Sequence, residues 1–173
     1  MVSFRWYEIL TYLKKHIFRK VPLSEIIGTA IGCFFGLGLV SYITMQQHLP
    51  LLIASFGATS LLIFSAPSAP MAQPRNVIGG HVIAAIIGVT CYKLFGLSWL
   101  SITLAATLAI IAMMLTDTAH PPGGATALVA IMGEADYSFV FTPILFGALI
   151  LVCIAVIVNQ FVPGREYPTH RKK

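Results

Sequence analysis

Charge is what this sequence has least of. No Asp, Glu, Lys or Arg occurs between residues 26 and 74, and the stretches 76–92, 94–116 and 137–164 lack them as well. Only 10% of the residues are charged against 57% hydrophobic, and the mean hydropathy of +0.86 excludes an ordinary soluble domain. The three cysteines, Cys33, Cys91 and Cys153, sit in separate apolar runs without paired spacing, so neither a disulfide framework nor a metal cluster is expected and they read as small packing residues. There is no phosphate loop, no HExxH and no nucleophile with an ordered base, which argues against an enzyme, and no cofactor or metal is expected. The first residues lack the pattern of a cleavable signal peptide.

The formal net charge of +5 does not suggest nucleic acid, because the basic residues gather at the two ends. Arg5, Lys14, Lys15, Arg19 and Lys20 precede the first apolar run, and Arg165, Arg171, Lys172 and Lys173 follow the last. Such placement marks topology and puts both termini in the cytoplasm of a multi-pass protein of the inner (plasma) membrane, with an even number of crossings. Residues 1–21 place Trp6, Leu10, Leu13 and Ile17 on one helical face and form an expected basic interfacial helix. Residues 22–162 form the transmembrane domain and 163–173 a basic cytoplasmic tail.

A helix needs about 20 apolar residues to cross roughly 30 Å of hydrocarbon. Four stretches meet that requirement (25–45, 77–95, 97–116 and 139–160), and two are short and broken, 49–64 and 121–133. The prolines at 67, 70 and 74 prevent a helix from running through the segment between the first short stretch and the next span. Either the short segments cross, making six passes, or they dip in and return, making four. Gly57-Ala58-Thr59-Ser60-Leu61-Leu62 and Gly124-Ala125-Thr126-Ala127-Leu128-Val129 are near copies, one in each short segment. The expected fold is therefore an all-α integral membrane bundle of two three-element repeats, each a span, a broken or half helix and a span. If the broken helices cross, the second repeat is inverted relative to the first.

Proline at a first helical turn loses no intrahelical bond, so His120-Pro121-Pro122 begins a helix, and Gly123 and Gly124 are expected to leave its first amides bare. A helix start carries about half a positive charge and favours an anion. Ionisable groups at depth in a membrane are functional by default, which singles out Asp117, His120, His81 and Arg75. Lys93 reads as an interfacial lysine, and His81 reads equally well as a packed histidine. Asp117 and His120, three residues apart, form a candidate proton-coupling pair.

"AHPPGGATAL" and "SAPSAPMAQPRNVIGGHVIAAIIGV" resemble the two signature blocks of the HPP family of small integral membrane proteins, a likeness covering residues 22–160. That family's motif more often has alanine where this chain has Gly123. The resemblance implies a transporter-like protein, and plastid and cyanobacterial members are linked to nitrite movement. Charge sign and resemblance together give a small monovalent anion, nitrite foremost, as the expected substrate. The candidate binding set is Gly57, Ala58, Thr59, Arg75, Asn76, His81, His120, Pro121, Pro122, Gly123, Gly124, Ala125 and Thr126. The alternative is a non-transporting sensor or scaffold that oligomerises through glycine-rich faces such as Gly28, Gly32 and Gly36, whose spacing lets helices approach closely. A homo-oligomer, dimer or trimer, is expected in either case, within a lipid bilayer.

Overall fold

The structure, a computed structural model, describes Tyr7, residues 21–48 and residues 51–169. Apart from Tyr7 and Val21, the expected interfacial helix lies outside the described residues, as does the tail from residue 170 onward. Among the described residues there are six α-helices and no strand: α1 Leu23–Gln46, α2 Ala54–Ser65, α3 Pro74–Phe95, α4 Trp99–Leu115, α5 Pro121–Met132 and α6 Phe146–Gln160. A 3-10 turn, Pro70–Ala72, precedes α3, and a wider π turn, Val140–Leu145, leads into α6.

Local chemistry sets the boundaries. Pro74 opens α3 and the pair Pro121-Pro122 opens α5, where a missing amide costs no intrahelical bond. Gly96, at φ +66°, ends α3 with a backbone angle that other residues rarely adopt. Ser98 then starts α4 through a capping box: its hydroxyl accepts from the Ser101 amide at 3.1 Å while Ser101 Oγ accepts from the Ser98 amide at 2.9 Å. This cap corrects the expectation of four long spans. The 97–116 stretch yields a helix of 17 residues, so among the described residues Leu23–Gln46, Pro74–Phe95 and Val140–Gln160 are the helices long and apolar enough to cross by length and composition.

Hydrogen bonds fix how the two 12-residue helices lie. The amides of Leu51 and Leu52 donate to Thr44 Oγ1 near the end of α1, and the carbonyl of Phe64 accepts from Thr29 Oγ1 near its beginning. With its extended lead-in, α2 therefore runs back along α1 from one end of the bundle to the other. α5 begins beside Gly80 of α3, where an added Cβ would lie 2.7 Å from His120 Cβ, and it finishes level with the far end of α3, where Tyr92 donates to Glu134 and Lys93 pairs with Asp136. Neither short helix turns back to the end it came from. α6 runs parallel to α2, from Gly147 against Phe56 to Asn159, whose amide donates to the Ile63 carbonyl at 3.1 Å.

Phe56, Ile63, Phe64, Val77, Ile144 and Leu151 fill the principal core. Gly28, Gly32 and Gly36 face that core. A Cβ at Gly32 would stand 2.2 Å from the Phe64 ring, one at Gly28 would stand 2.4 Å from Val162, and one at Gly36 would stand 3.0 Å from Phe64. The face on which oligomers were expected to form is thus taken up within the chain. It admits Phe64 and Val162, not a second copy.

The C-terminal residues are also held. Arg165 was read from the sequence as a topology charge, yet its side chain is only 3% exposed. It is bonded to the Glu25 carboxylate at 2.5 Å, the Glu25 carbonyl at 3.0 Å, Thr29 Oγ1 at 3.0 Å and Asn159 Oδ1 at 3.0 Å. Two of these partners also complete the C-terminal end of α2. Asn159 and Thr29 donate to the Ile63 and Phe64 carbonyls, which as members of the last helical turn have no intrahelical amide to accept.

Candidate functional site

Five of the buried polar residues, Ser55, Thr59, His81, His120 and Thr126, form one connected chain. His81 is two turns into α3, at seven residues or roughly 10 Å from Pro74, and is fully buried. His120 is the residue immediately before α5 and is 1% exposed. Their ring centroids stand 4.9 Å apart. Thr59 of α2 lies between them, with Oγ1 at 2.7 Å from His81 Nε2 and 3.0 Å from His120 Nε2. Thr126 of α5 meets His81 from the other side, 2.7 Å from Nδ1, and is itself 2.9 Å from Ser55 Oγ in the first turn of α2. His120 Nδ1 closes the chain by donating to the Met71 carbonyl in the 3-10 turn at 2.8 Å. Phe56 packs edge-on against His81 with centroids 5.2 Å apart.

Close backbone approach makes this geometry possible. The 118–120 segment crosses directly over Gly79 and Gly80, where added Cβ atoms would come within 2.8 Å of Thr118 and 2.7 Å of His120. Gly123 fits against the same point of α3: a Cβ there would lie 3.0 Å from the Gly80 carbonyl and 2.8 Å from Met113 Sδ. Asn76 ties the segment down by donating to the Ala119 carbonyl at 2.9 Å, and Arg75 does so by donating to the Thr116 carbonyl at 2.9 Å.

The structure divides the candidate residues into two groups. Thr59, His81, His120 and Thr126 come together, with Pro122 and Gly123 buried behind them. Gly57, Ala58, Pro121 and Ala125 face outward, and Gly124 is half-buried with its nearest neighbour, Ile110, 3.9 Å from where a Cβ would sit. Arg75 is exposed and pairs with Asp117 at 3.6 Å. The two ring nitrogens of His120 are bonded to Thr59 and Met71, so neither is available to Asp117 and the expected direct pair does not form.

The helix start also differs from expectation. Pro121 and Pro122 have no amide hydrogen, and the Gly123 amide is already bonded to the His120 carbonyl at 2.8 Å. Three of the four positions from 121 to 124 therefore offer no free donor at the start of α5, because the prolines that begin the helix have no N–H and the Gly123 amide is already engaged. The hydrogen-bonding capacity of the site lies instead in hydroxyls and imidazoles. Sequence reasoning missed Ser55 and the Met71 carbonyl. Ser55 was readable as the residue one helical turn before Thr59, whereas a carbonyl partner from a proline-rich turn leaves no mark in the sequence.

Two electrostatic facts complete the site. None of the helices that supply these residues carries a carboxylate, and Arg75 and Lys93 sit at the two ends of α3, paired with Asp117 and Asp136. Among the described residues no group of three or more His, Cys, Asp or Glu is arranged to hold a metal ion.

Residues 18–168 match the transmembrane region of the HPP family. Two transmembrane proteins of Dictyostelium discoideum are similar to the chain, one 38% identical over 160 residues and the other 36% identical over 161. Each alignment covers 86% of this chain but only 56% and 52% of the respective relatives, so the chain spans about half the length of the curated relatives it matches. No solved structure matches.

Proposed function

This chain belongs to the HPP transmembrane family, and we propose that it is a membrane transporter for a small monovalent anion, nitrite being the substrate to which the family resemblance points. The observation that supports this reading is the convergence of Thr59 and Thr126 on His81 in the membrane interior. The two threonines occupy the same place in the two Gly-Ala-Thr copies, and they bring hydroxyl and imidazole donors together with no carboxylate among them. Such a set suits an anion. A cation site at this depth would call for carboxylates or a ring of carbonyls.

In the arrangement described, the donors bond one another. An anion entering between α2 and α5 exchanges those bonds for its own, so it is held by several neutral donors and released without breaking a full salt bridge. Binding of this moderate strength suits transport. The two short helices run in opposite directions, as in an inverted pair of three-helix repeats, α1–α3 and α4–α6, with six crossings. The positive-inside rule then puts the Arg75 turn, Glu25 and Arg165 on the cytoplasmic side and Lys93, Glu134 and Asp136 on the other.

The test is flux through liposomes carrying the purified chain. Nitrite should enter faster than into empty vesicles, while sodium and potassium should not. Flux at the empty-vesicle rate for nitrite, nitrate and formate alike would overturn the reading.

A further inference from the structure

The direction of every hydrogen bond in the buried chain follows from its last acceptor. The Met71 carbonyl can only accept, so His120 carries its hydrogen on Nδ1. With the ring neutral, His120 Nε2 accepts, and the hydrogen comes from the Thr59 hydroxyl. Thr59 has only one hydrogen, so its oxygen must accept from His81 Nε2, which makes His81 the opposite tautomer. His81 Nδ1 then accepts from Thr126, and Thr126 accepts from Ser55. Five side chains from three helices point their hydrogens one way, toward Met71.

Each threonine has a second acceptor within reach. Thr59 Oγ1 stands 3.2 Å from the Ser55 carbonyl, and Thr126 Oγ1 stands 3.4 Å from the Pro122 carbonyl. A hydroxyl that turns to its own helix at the carbonyl four residues back frees its oxygen to accept from an imidazolium. The chain can therefore take up one proton by rotating a hydroxyl, with no displacement of a helix.

We propose that His81, Thr59 and His120 form a single proton-binding site that passes one proton between the two rings, and that this proton accompanies the transported anion. When His81 Nδ1 takes a proton supplied by hydronium, which leaves as water, it donates to Thr126, whose hydroxyl turns to Pro122. His81 Nε2 then gives its hydrogen to Thr59 Oγ1 as Thr59 gives its own to His120 Nε2. His81 ends neutral and His120 positive; one N–H and one O–H bond break and one of each forms. Two positive rings with centroids 4.9 Å apart repel each other, which limits the pair to one proton.

The surrounding charges leave this site to itself. α2, α4, α5 and α6 contain no charged residue, Glu25 of α1 pairs with Arg165, and Arg75 and Lys93 of α3 pair with Asp117 and Asp136 at opposite ends of that helix. Glu134, in the loop after α5, bonds Tyr92. Among the described residues, a proton on the pair is thus the one mobile charge in the interior. It would neutralise a monovalent anion lying against Thr59 and Thr126.

The proton site stands on the geometry alone, and only its coupling rests on the transport reading, so the experiment has two arms. Ring nitrogens of the 15N-histidine-labelled full chain, assigned with single His→Gln variants, are followed by NMR in phosphatidylcholine nanodiscs. His81 should be protonated on Nε2 and His120 on Nδ1, and acidification should add one proton to the two rings together. Identical tautomers, two independent protonations or no protonation would overturn the site. Thr59→Val, of the same shape without the hydroxyl, should split the shared titration into separate ones.

In the second arm, liposomes containing the protein and a pH dye receive external nitrite. Each nitrite that enters should bring a proton, and Thr59→Val should lose this accompaniment. Nitrite entry without a proton in the parent protein would overturn the coupling while leaving transport intact. The expected tautomers with no entry of nitrite, nitrate or formate would uphold the proton site and remove the transport reading.

Discussion

At one end of the bundle Arg165 and Glu25 bring opposite charges together around Asn159 and Thr29, whereas in the interior His81 and His120 meet two threonines and a serine with no formal charge. The second cluster is buried and the first partly so, and both join elements far apart in sequence. They differ in what their hydrogens can do. Arginine keeps its charge and its donors are fixed by the planar fork, so the first cluster has one arrangement and serves to hold α1, the end of α2 and the C-terminal residues together. Imidazoles and hydroxyls each have more than one hydrogen arrangement at nearly the same geometry, so the second cluster can change state without moving a helix. The first is a clamp and the second has the makings of a switch.

Removing the clamp should produce the largest effect. Arg165→Ala leaves the Glu25 carboxylate without its partner and strips bonds from Thr29 and Asn159. Breaking one side of a buried pair costs about 3–5 kcal/mol, and the 32% exposure of Glu25 places this case toward the lower figure. Thermal unfolding of the detergent-solubilised chain measures it. A loss below about 0.5 kcal/mol, within the range of an ordinary surface change, would reduce the cluster to decoration.

Thr59→Val tests the switch and should cost less in stability and more in function. It leaves one nitrogen on each of two buried rings unsatisfied, for about 1–3 kcal/mol. Nitrite flux should fall much further than that loss accounts for at a temperature where the variant remains folded. Parental flux in the folded variant would make the interior cluster a second clamp, and the contrast between the two regions would disappear.

The sequence made one of these regions visible and hid the other for physical reasons. His120 stood out because proline and glycine share its turn, and Thr59 and Thr126 stood out through the copied Gly-Ala-Thr. That both threonines bond one histidine was not readable, since it depends on α2 and α5 lying antiparallel beside α3. Arg165 looked like one more basic residue among Arg171, Lys172 and Lys173, and nothing local marks a partner 140 residues away. Asn159, an amide near the end of an apolar run, was the available hint of a buried polar cluster there. The glycines of α1 misled because the same spacing serves packing within a chain and between chains, and only the position of Phe64 decides which.

Tyr167 provides a smaller test of how firmly the C-terminal residues are held. It is 5% exposed and donates to the Ala72 carbonyl at 3.0 Å, next to the Met71 carbonyl that accepts from His120. Tyr167→Phe should cost about 1 kcal/mol, the net worth of one hydrogen bond. Burial raises the phenol above its ordinary value of 10.0. A group whose folded pKa is raised gives stability that is fully present below the unfolded value and is lost as the pH rises through the folded one. Stability should therefore fall with pH above about 10 in the parent protein, and fall less in the phenylalanine variant. Equal slopes in detergent unfolding would mean that the phenol is not buried in the folded chain.

Gly57→Ala and Gly124→Ala should have the smallest effects, and they separate two places where an anion could sit. Nothing lies within 4 Å of a Cβ built at Gly57, and at Gly124 only Ile110 comes into ordinary contact, at 3.9 Å. Alanine is the better helix former by about 0.8–1 kcal/mol, so each variant should unfold at the parental temperature or slightly above it. Binding at bare helix starts would be blocked by either methyl group and flux would drop. Binding at the hydroxyls and imidazoles leaves both methyl groups outside the site, because Gly57 faces away from the buried Thr59 and a Cβ at Gly124 meets only Ile110, away from the buried Thr126. Parental nitrite flux in both alanine variants, beside the loss in Thr59→Val, would place recognition in the hydroxyl and imidazole chain. A loss in the alanine variants comparable to that of Thr59→Val would return it to the helix starts.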